Sequence, residues 1–183
     1  MTSMHTFAIY VEDRPGVLNR VASLFRRRNF NIHSLAVGHS ETPGVSRMTT
    51  VVQTDAGGAL RIRAHLYKLV NVIRVEDITN RSSLVRDLAL IKVSADHVNR
   101  SSLVQLAQLF EARVVDVAAD SLVLEMTASP SRIDALLEVL RPYGVIEMAR
   151  SGRIAMTRGT GSELPTTAVN SERELEAGVS YSV

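Results

Sequence analysis

The chain has 183 residues, 45% of them apolar, with a formal charge of +2 and no cysteine; this suffices for one domain or two compact ones and excludes disulfides, thiolate zinc sites, iron–sulfur clusters and a cysteine nucleophile. Scattered arginines and an aromatic content of 4% give little support to a nucleic-acid surface. No apolar run approaches the ~18 residues of a membrane span, and Met1 to Thr6 lacks the regions of a secretory leader, so a cytoplasmic location is expected.

His5 to Glu12 reads as a strand, with Phe7, Ile9 and Val11 on one face. Asp13-Arg14-Pro15-Gly16 is a turn that starts a helix, Pro15 suiting its first position. Val17, Leu18, Val21, Leu24 and Phe25 follow at helical spacing, and Arg26, Arg27 and Arg28 occupy the last turn, where cations complement the helix dipole. Asn31 to Gly38 is a second strand, Ser40 to Gly44 a hairpin loop, and Ser46 to Thr54 a third strand. Gly57-Gly58 reads as a break before a helical stripe of Ala59, Ile62, Leu66 and Leu69, and Val70 to Ile78 closes the unit as a β-branched strand.

The second half repeats this order. Leu88 to Ala95 is a strand; Asn99 is a candidate cap for a helix whose face is Leu103, Leu106, Ala107 and Phe110. Val114 to Val117 and Leu122 to Met126 are strands around a turn at Ala119-Asp120. Ser129-Pro130 opens a helix with Ile133, Leu136, Leu137 and Leu140 inward; Gly144 ends it, and Val145 to Met148 and Ile154 to Met156 finish the sheet. The expected fold is α+β: two ferredoxin-like βαββαβ domains, 1–80 and 81–158, each with helices over one sheet face. The polar stretch Thr79 to Arg86 marks the boundary, and residues 159–183, rich in Gly, Ser, Thr and Glu, are expected to be a disordered tail.

The turn after the first strand carries the chemistry. A Pro-Gly bend at a helix N-terminus leaves backbone N–H groups facing outward, and the dipole favours an anion. Gly16 lets a small ligand approach the backbone. Asp13 adds a carboxylate able to pair with an ammonium; an amino acid carries both groups. Val17 and Ile32 could line an apolar slot, and Asn31 offers a donor and an acceptor. The plainer reading is a helix-starting turn in which Asp13 only favours the first residues.

The run EDRPGVLNRVASLFRRRNFNIHSLAV, Glu12 to Val37, resembles the N-terminal ACT domain of the acetohydroxyacid synthase (acetolactate synthase) small subunit. The likeness continues in SRMT (Ser46 to Thr49), LYKLVNVIRVEDIT (Leu66 to Thr79), ALIKV (Ala89 to Val93), VVDV (Val114 to Val117) and EMARSGRIAMTRG (Glu147 to Gly159). The resemblance implies a non-catalytic regulatory subunit that binds a large catalytic subunit, raises its activity and confers feedback inhibition by valine. Thiamine diphosphate, Mg²⁺ and FAD would belong to that partner. It further implies a homodimer through the ACT domain, with an effector site of Asp13, Gly16, Val17, Leu18, Asn31 and Ile32 contributed by two chains. Two departures stand out: Asn29 where many members have Gly, and His33 where they have an acid. Asn tolerates the left-handed conformation of a helix stop, whereas His33 removes a negative charge beside the effector strand.

Other constellations assemble no chemistry. His33 and His39 lack a third ligand at metal spacing. No Walker loop, strand-linked G-x-G-x-x-G or nucleophile elbow is present, and Asp116 and Asp120 flank a surface turn. The rival readings are a free-standing ACT sensor controlling another enzyme or transcription, which would need a DNA-reading helix or a fused catalytic domain, and a small ferredoxin-like enzyme, which would turn over alone.

Overall fold

The computed structural model describes residues 2–159, so all but the first residue of the expected tail lies outside the described residues. The chain folds into two βαββαβ units. The first contains β1 (Ser3–Glu12), α1 (Val17–Arg27), β2 (Ile32–His39), β3 (Val45–Thr54), α2 (Ala56–Leu66) and β4 (Val72–Asp77). The second contains β5 (Ser83–Ser94), α3 (Arg100–Phe110), β6 (Arg113–Val117), β7 (Ser121–Ala128), α4 (Pro130–Leu140) and β8 (Val145–Arg150), followed by β9 (Ile154–Thr157). The first sheet has the order β2-β3-β1-β4, and the second runs β6-β7-β5-β8 with β9 added to β5. All pairings are antiparallel.

Alternation decides which side chains face the helices. Phe7, Ile9 and Val11 of β1 join Met48 and Val52 of β3 beneath Val17, Val21, Leu24 and Phe25 of α1 and Ile62 and Leu66 of α2. In the second unit Ala89, Ile91 and Val93 join Leu122, Leu124 and Met126 beneath Leu103, Ala107, Ile133 and Leu136. Helices α1 and α3 end in the same way. Asn29 (φ 58) and Glu111 (φ 60) adopt the left-handed conformation. The N–H groups of Phe30 and Ala112 then reach back to the carbonyls of Phe25 and Ala107, the pairing of a Schellman stop.

Two local expectations are corrected. Gly57-Gly58 does not break the chain: α2 starts at Ala56, capped by Asp55, whose carboxylate accepts the Gly58 N–H at 2.5 Å. A Cβ on Gly58 would lie 1.9 Å from Thr54 Oγ1, so the glycine serves close packing. Asn99 takes the N-cap position of α3, but its side chain makes no cap bond to the helix. The cap comes from Asp96, which accepts the N–H groups of Val98 and Asn99 at 2.8 Å while Asn99 Oδ1 accepts the Asp96 N–H at 2.9 Å; this is a reciprocal capping box. These backbone donors hold the Asp96 carboxyl below the usual carboxylate range.

The polar stretch between the two units is partly strand. Of the polar stretch 79–86, Ser83 to Arg86 is already strand and pairs with Thr157 to Ile154 of β9. This two-stranded ribbon lies on the face of the first sheet that the helices leave bare. Val85 and Ala155 pack there with Ala8, Tyr10 and Ile78, Arg47 Nη2 donates to the Ala155 carbonyl at 2.6 Å, and Thr49 and Val51 are buried. Further along β5 the alternation passes into the second sheet, so one strand belongs to both layers. Beside the junction, Arg150 Nε donates to buried Asp87 at 2.8 Å and Nη1 to Asp134 at 2.7 Å. Burial alone would lower the pKa of Arg150, but the two carboxylates outweigh it and hold the pKa above its ordinary value.

Candidate functional site

The turn between β1 and α1 places Gly16 at the N-cap of α1 with φ 82 and ψ −6, a conformation in which a side chain is strained. The space around it is open, since a Cβ there would meet nothing within 4 Å. No side chain caps α1, and its first turn holds no acid. The Val17 N–H reaches the Arg14 carbonyl at 3.3 Å; the next two amides, of Leu18 and Asn19, have no intrahelical acceptor by helix geometry. Donors and the positive end of the helix dipole therefore meet at an open surface, which suits a carboxylate.

The other predicted residues take different positions. Val17 sends its side chain into the core at 4% exposure and contributes only its amide, whereas Leu18, 44% exposed, stands beside the turn. Asn31 and Ile32 lie past the far end of α1, where they line a hollow of about 370 Å³ floored by Phe25 and Phe30 and rimmed by Arg26 and Asn29. Asn31 is exposed, with no side-chain partner among the described residues. His33, also exposed, sits in the β-bulge between Ile32 and Ser34. Helix α1 has 11 residues and spans about 16 Å, so one chain does not bring Gly16 and Asn31 together. β2, which begins with Ile32, is an outer strand of its sheet with an unpaired edge.

Asp13 is committed within the chain. Its carboxylate accepts the Ser46 hydroxyl at 3.2 Å and lies 3.4 Å from His39 Nδ1, and its N–H donates to the Gly44 carbonyl at 2.8 Å. The end of the β2–β3 hairpin is thus clasped to the turn. Asn71 fastens the other side: its Nδ2 donates to Glu12 Oε2 and its Oδ1 accepts Arg20 Nη1, both at 2.7 Å. Sequence reasoning missed Ser46, His39 and Asn71 as supports. Ser46 and Asn71 fall inside the family-like segments SRMT and LYKLVNVIRVEDIT, which gave a signal of position but none of role. Among the described residues, no three His, Asp or Glu side chains converge as a metal would require.

Residues 7–74 match the family described as the AHAS small subunit-like ACT domain, and residues 86–159 match the family described as the small subunit of acetolactate synthase. The acetolactate synthase small subunit of Mycolicibacterium smegmatis is 48% identical over 158 residues, covering 86% of this chain and 93% of that protein. This chain belongs to the acetolactate synthase small-subunit family. The probable acetolactate synthase small subunit of Archaeoglobus fulgidus is 46% identical, with 85% of this chain and 97% of that protein covered. The crystal structure of the Thermotoga maritima acetolactate synthase small subunit superposes with a TM-score of 0.81 at 36% identity, covering 86% of this chain and 98% of that one. Membership of this family implies a catalytic large-subunit partner. Branched-chain amino-acid biosynthesis follows from the family, and among the described residues no helix is long and apolar enough to cross a membrane.

Proposed function

We propose that the chain is a non-catalytic, cytoplasmic regulatory subunit that raises the activity of its large catalytic partner and makes it sensitive to valine. The observation that carries this reading is the open, uncapped start of α1 at Gly16, in a family whose name already supplies the enzyme. Valine's carboxylate would be held by the amides following Gly16, with the side chain of Leu18 alongside. Its remaining contacts would come from Asn31 and Ile32 of a second copy, because within one chain they lie about 16 Å away. Pairing the free β2 edges of two ACT domains supplies such a dimer and completes the backbone hydrogen bonds of both edges. Thiamine diphosphate, Mg²⁺ and FAD reside on the catalytic chain in this reading.

Inhibition then requires that valine bind the less active assembly more tightly than the active one. A coupling of ~1–3 kcal/mol gives a roughly 5- to 150-fold effect. The test mixes the two purified chains, measures acetolactate formation and titrates valine. The small subunit alone should be inert, the mixture faster than the catalytic chain alone, and valine should reverse the gain. Gly16→Asp sets a carboxylate against the ligand's own; it should abolish inhibition and spare activation. Intact inhibition in that variant would remove Gly16 from the site.

A further inference from the structure

The second domain touches the effector strand through the turn Ser151 to Arg153 between β8 and β9. Gly152 lies so close to β2 that a Cβ would sit 2.1 Å from the Leu35 carbonyl oxygen and 2.9 Å from the Ala36 nitrogen. The Arg153 N–H donates to Ser34 Oγ at 2.7 Å. These contacts begin directly after the bulge at His33, within a few residues of Asn31 and Ile32. Backbone meets backbone here, with no flexible side chain between to absorb a displacement. A shift of β2 must therefore move the turn.

The turn also has a second place to go. Asp87 Oδ1 is buried without a protein hydrogen bond, and so is Arg153 Nε. The two face each other at 4.0 Å, about 1 Å beyond hydrogen-bond distance. Asp87 lies on β5, the strand shared by both layers, and its other oxygen is held by Arg150. A small movement of Arg153 toward β5 would close a charge-assisted hydrogen bond that the present arrangement leaves open. An element with two discrete packings is what coupling between sites requires.

We propose that the Ser151–Arg153 turn reads the position of β2 and passes effector occupancy to the second domain through Arg153 and Asp87. This inference rests on the effector reading above. Its test uses the small subunit reconstituted with its catalytic partner, carrying Gly152→Ala or Arg153→Gln. Both variants should still raise the catalytic rate. Calorimetry on each variant small subunit should give a valine affinity within about threefold of wild type, while the valine concentration for half-inhibition rises at least tenfold or the extent of inhibition falls by half.

Inhibition like wild type in both variants overturns the proposal. So does loss of valine binding, which would make the turn part of the site. Loss of activation and inhibition together in both also overturns it, since the turn would then serve folding alone. Wild-type subunit that neither binds valine nor transmits inhibition would instead sink the effector reading.

Discussion

Asp13 was expected to face an ammonium group; within the chain its carboxylate, 46% exposed, also meets Ser46 and His39. The sequence could not reveal this, because Ser46 is 33 positions away and comes alongside only when β1 pairs with β3. The clasp lets Asp13 hold the turn in place as well. Ser46→Ala should remove one hydrogen bond to a charged group, of about 1.5 kcal/mol, and raise the valine concentration for half-inhibition up to roughly tenfold, read by titrating the reconstituted enzyme. A pH effect belongs to Asp96. Its folded pKa lies below the unfolded one, so its stabilisation is fully present above about pH 4 and is lost as the pH falls through the folded value. Asp96→Ala should therefore melt below wild type at pH 7, and the gap should narrow when thermal scans are repeated below pH 4.

At the scale of elements, periodicity carried most of the prediction. The stripes of α1, α3 and α4 and the alternation of β1, β3 and β7 place most of the observed core residues inward, because each face has a single packing surface to meet; Leu18 of α1 and Leu106 of α3 fall outside the cores. What periodicity could not convey was contact across elements. Gly58 looked like a breaker, yet it is helical and pressed against Thr54. Gly→Ala inside a helix ordinarily stabilises by up to about 1 kcal/mol. Here the clash reverses the sign: Gly58→Ala should lower stability by about 1–3 kcal/mol in urea unfolding, and adding Thr54→Ala should recover most of the loss. The candidate site was legible as a turn and as the start of a strand. Their separation by the length of α1 was legible too, since the expected helix lies between Gly16 and Asn31; the clasp of Asp13 by Ser46 and His39 was not, because it depends on strand pairing. The unpaired β2 edge gives a further test. Val37 on that strand is exposed, and in the proposed dimer Val37→Lys would bring like charges to the paired edges. Light scattering should then show dimer giving way to monomer, with valine inhibition lost in parallel.

For the molecule as a whole, the junction is held by buried charge as well as apolar contact. Asp87 is 5% exposed and bonded to Arg150. Asp87→Ala would leave that guanidinium without its most buried acceptor and should cost about 3 kcal/mol of stability by denaturant unfolding. The boundary had looked like an ordinary polar linker because Ser83 and Arg86 are polar; the pairing that makes them strand comes from β9, some seventy residues later. Connections between domains are usually where a chain tolerates insertions and fusions. This joint behaves in the opposite way. One residue inserted between Arg86 and Asp87 would turn the rest of β5 over, forcing Ile91 and Val93 into water and Lys92 into the core. A designer adding a tag or sensor should leave this seam intact and choose the exposed loop at Ser40 to Gly44 only where effector control can be sacrificed.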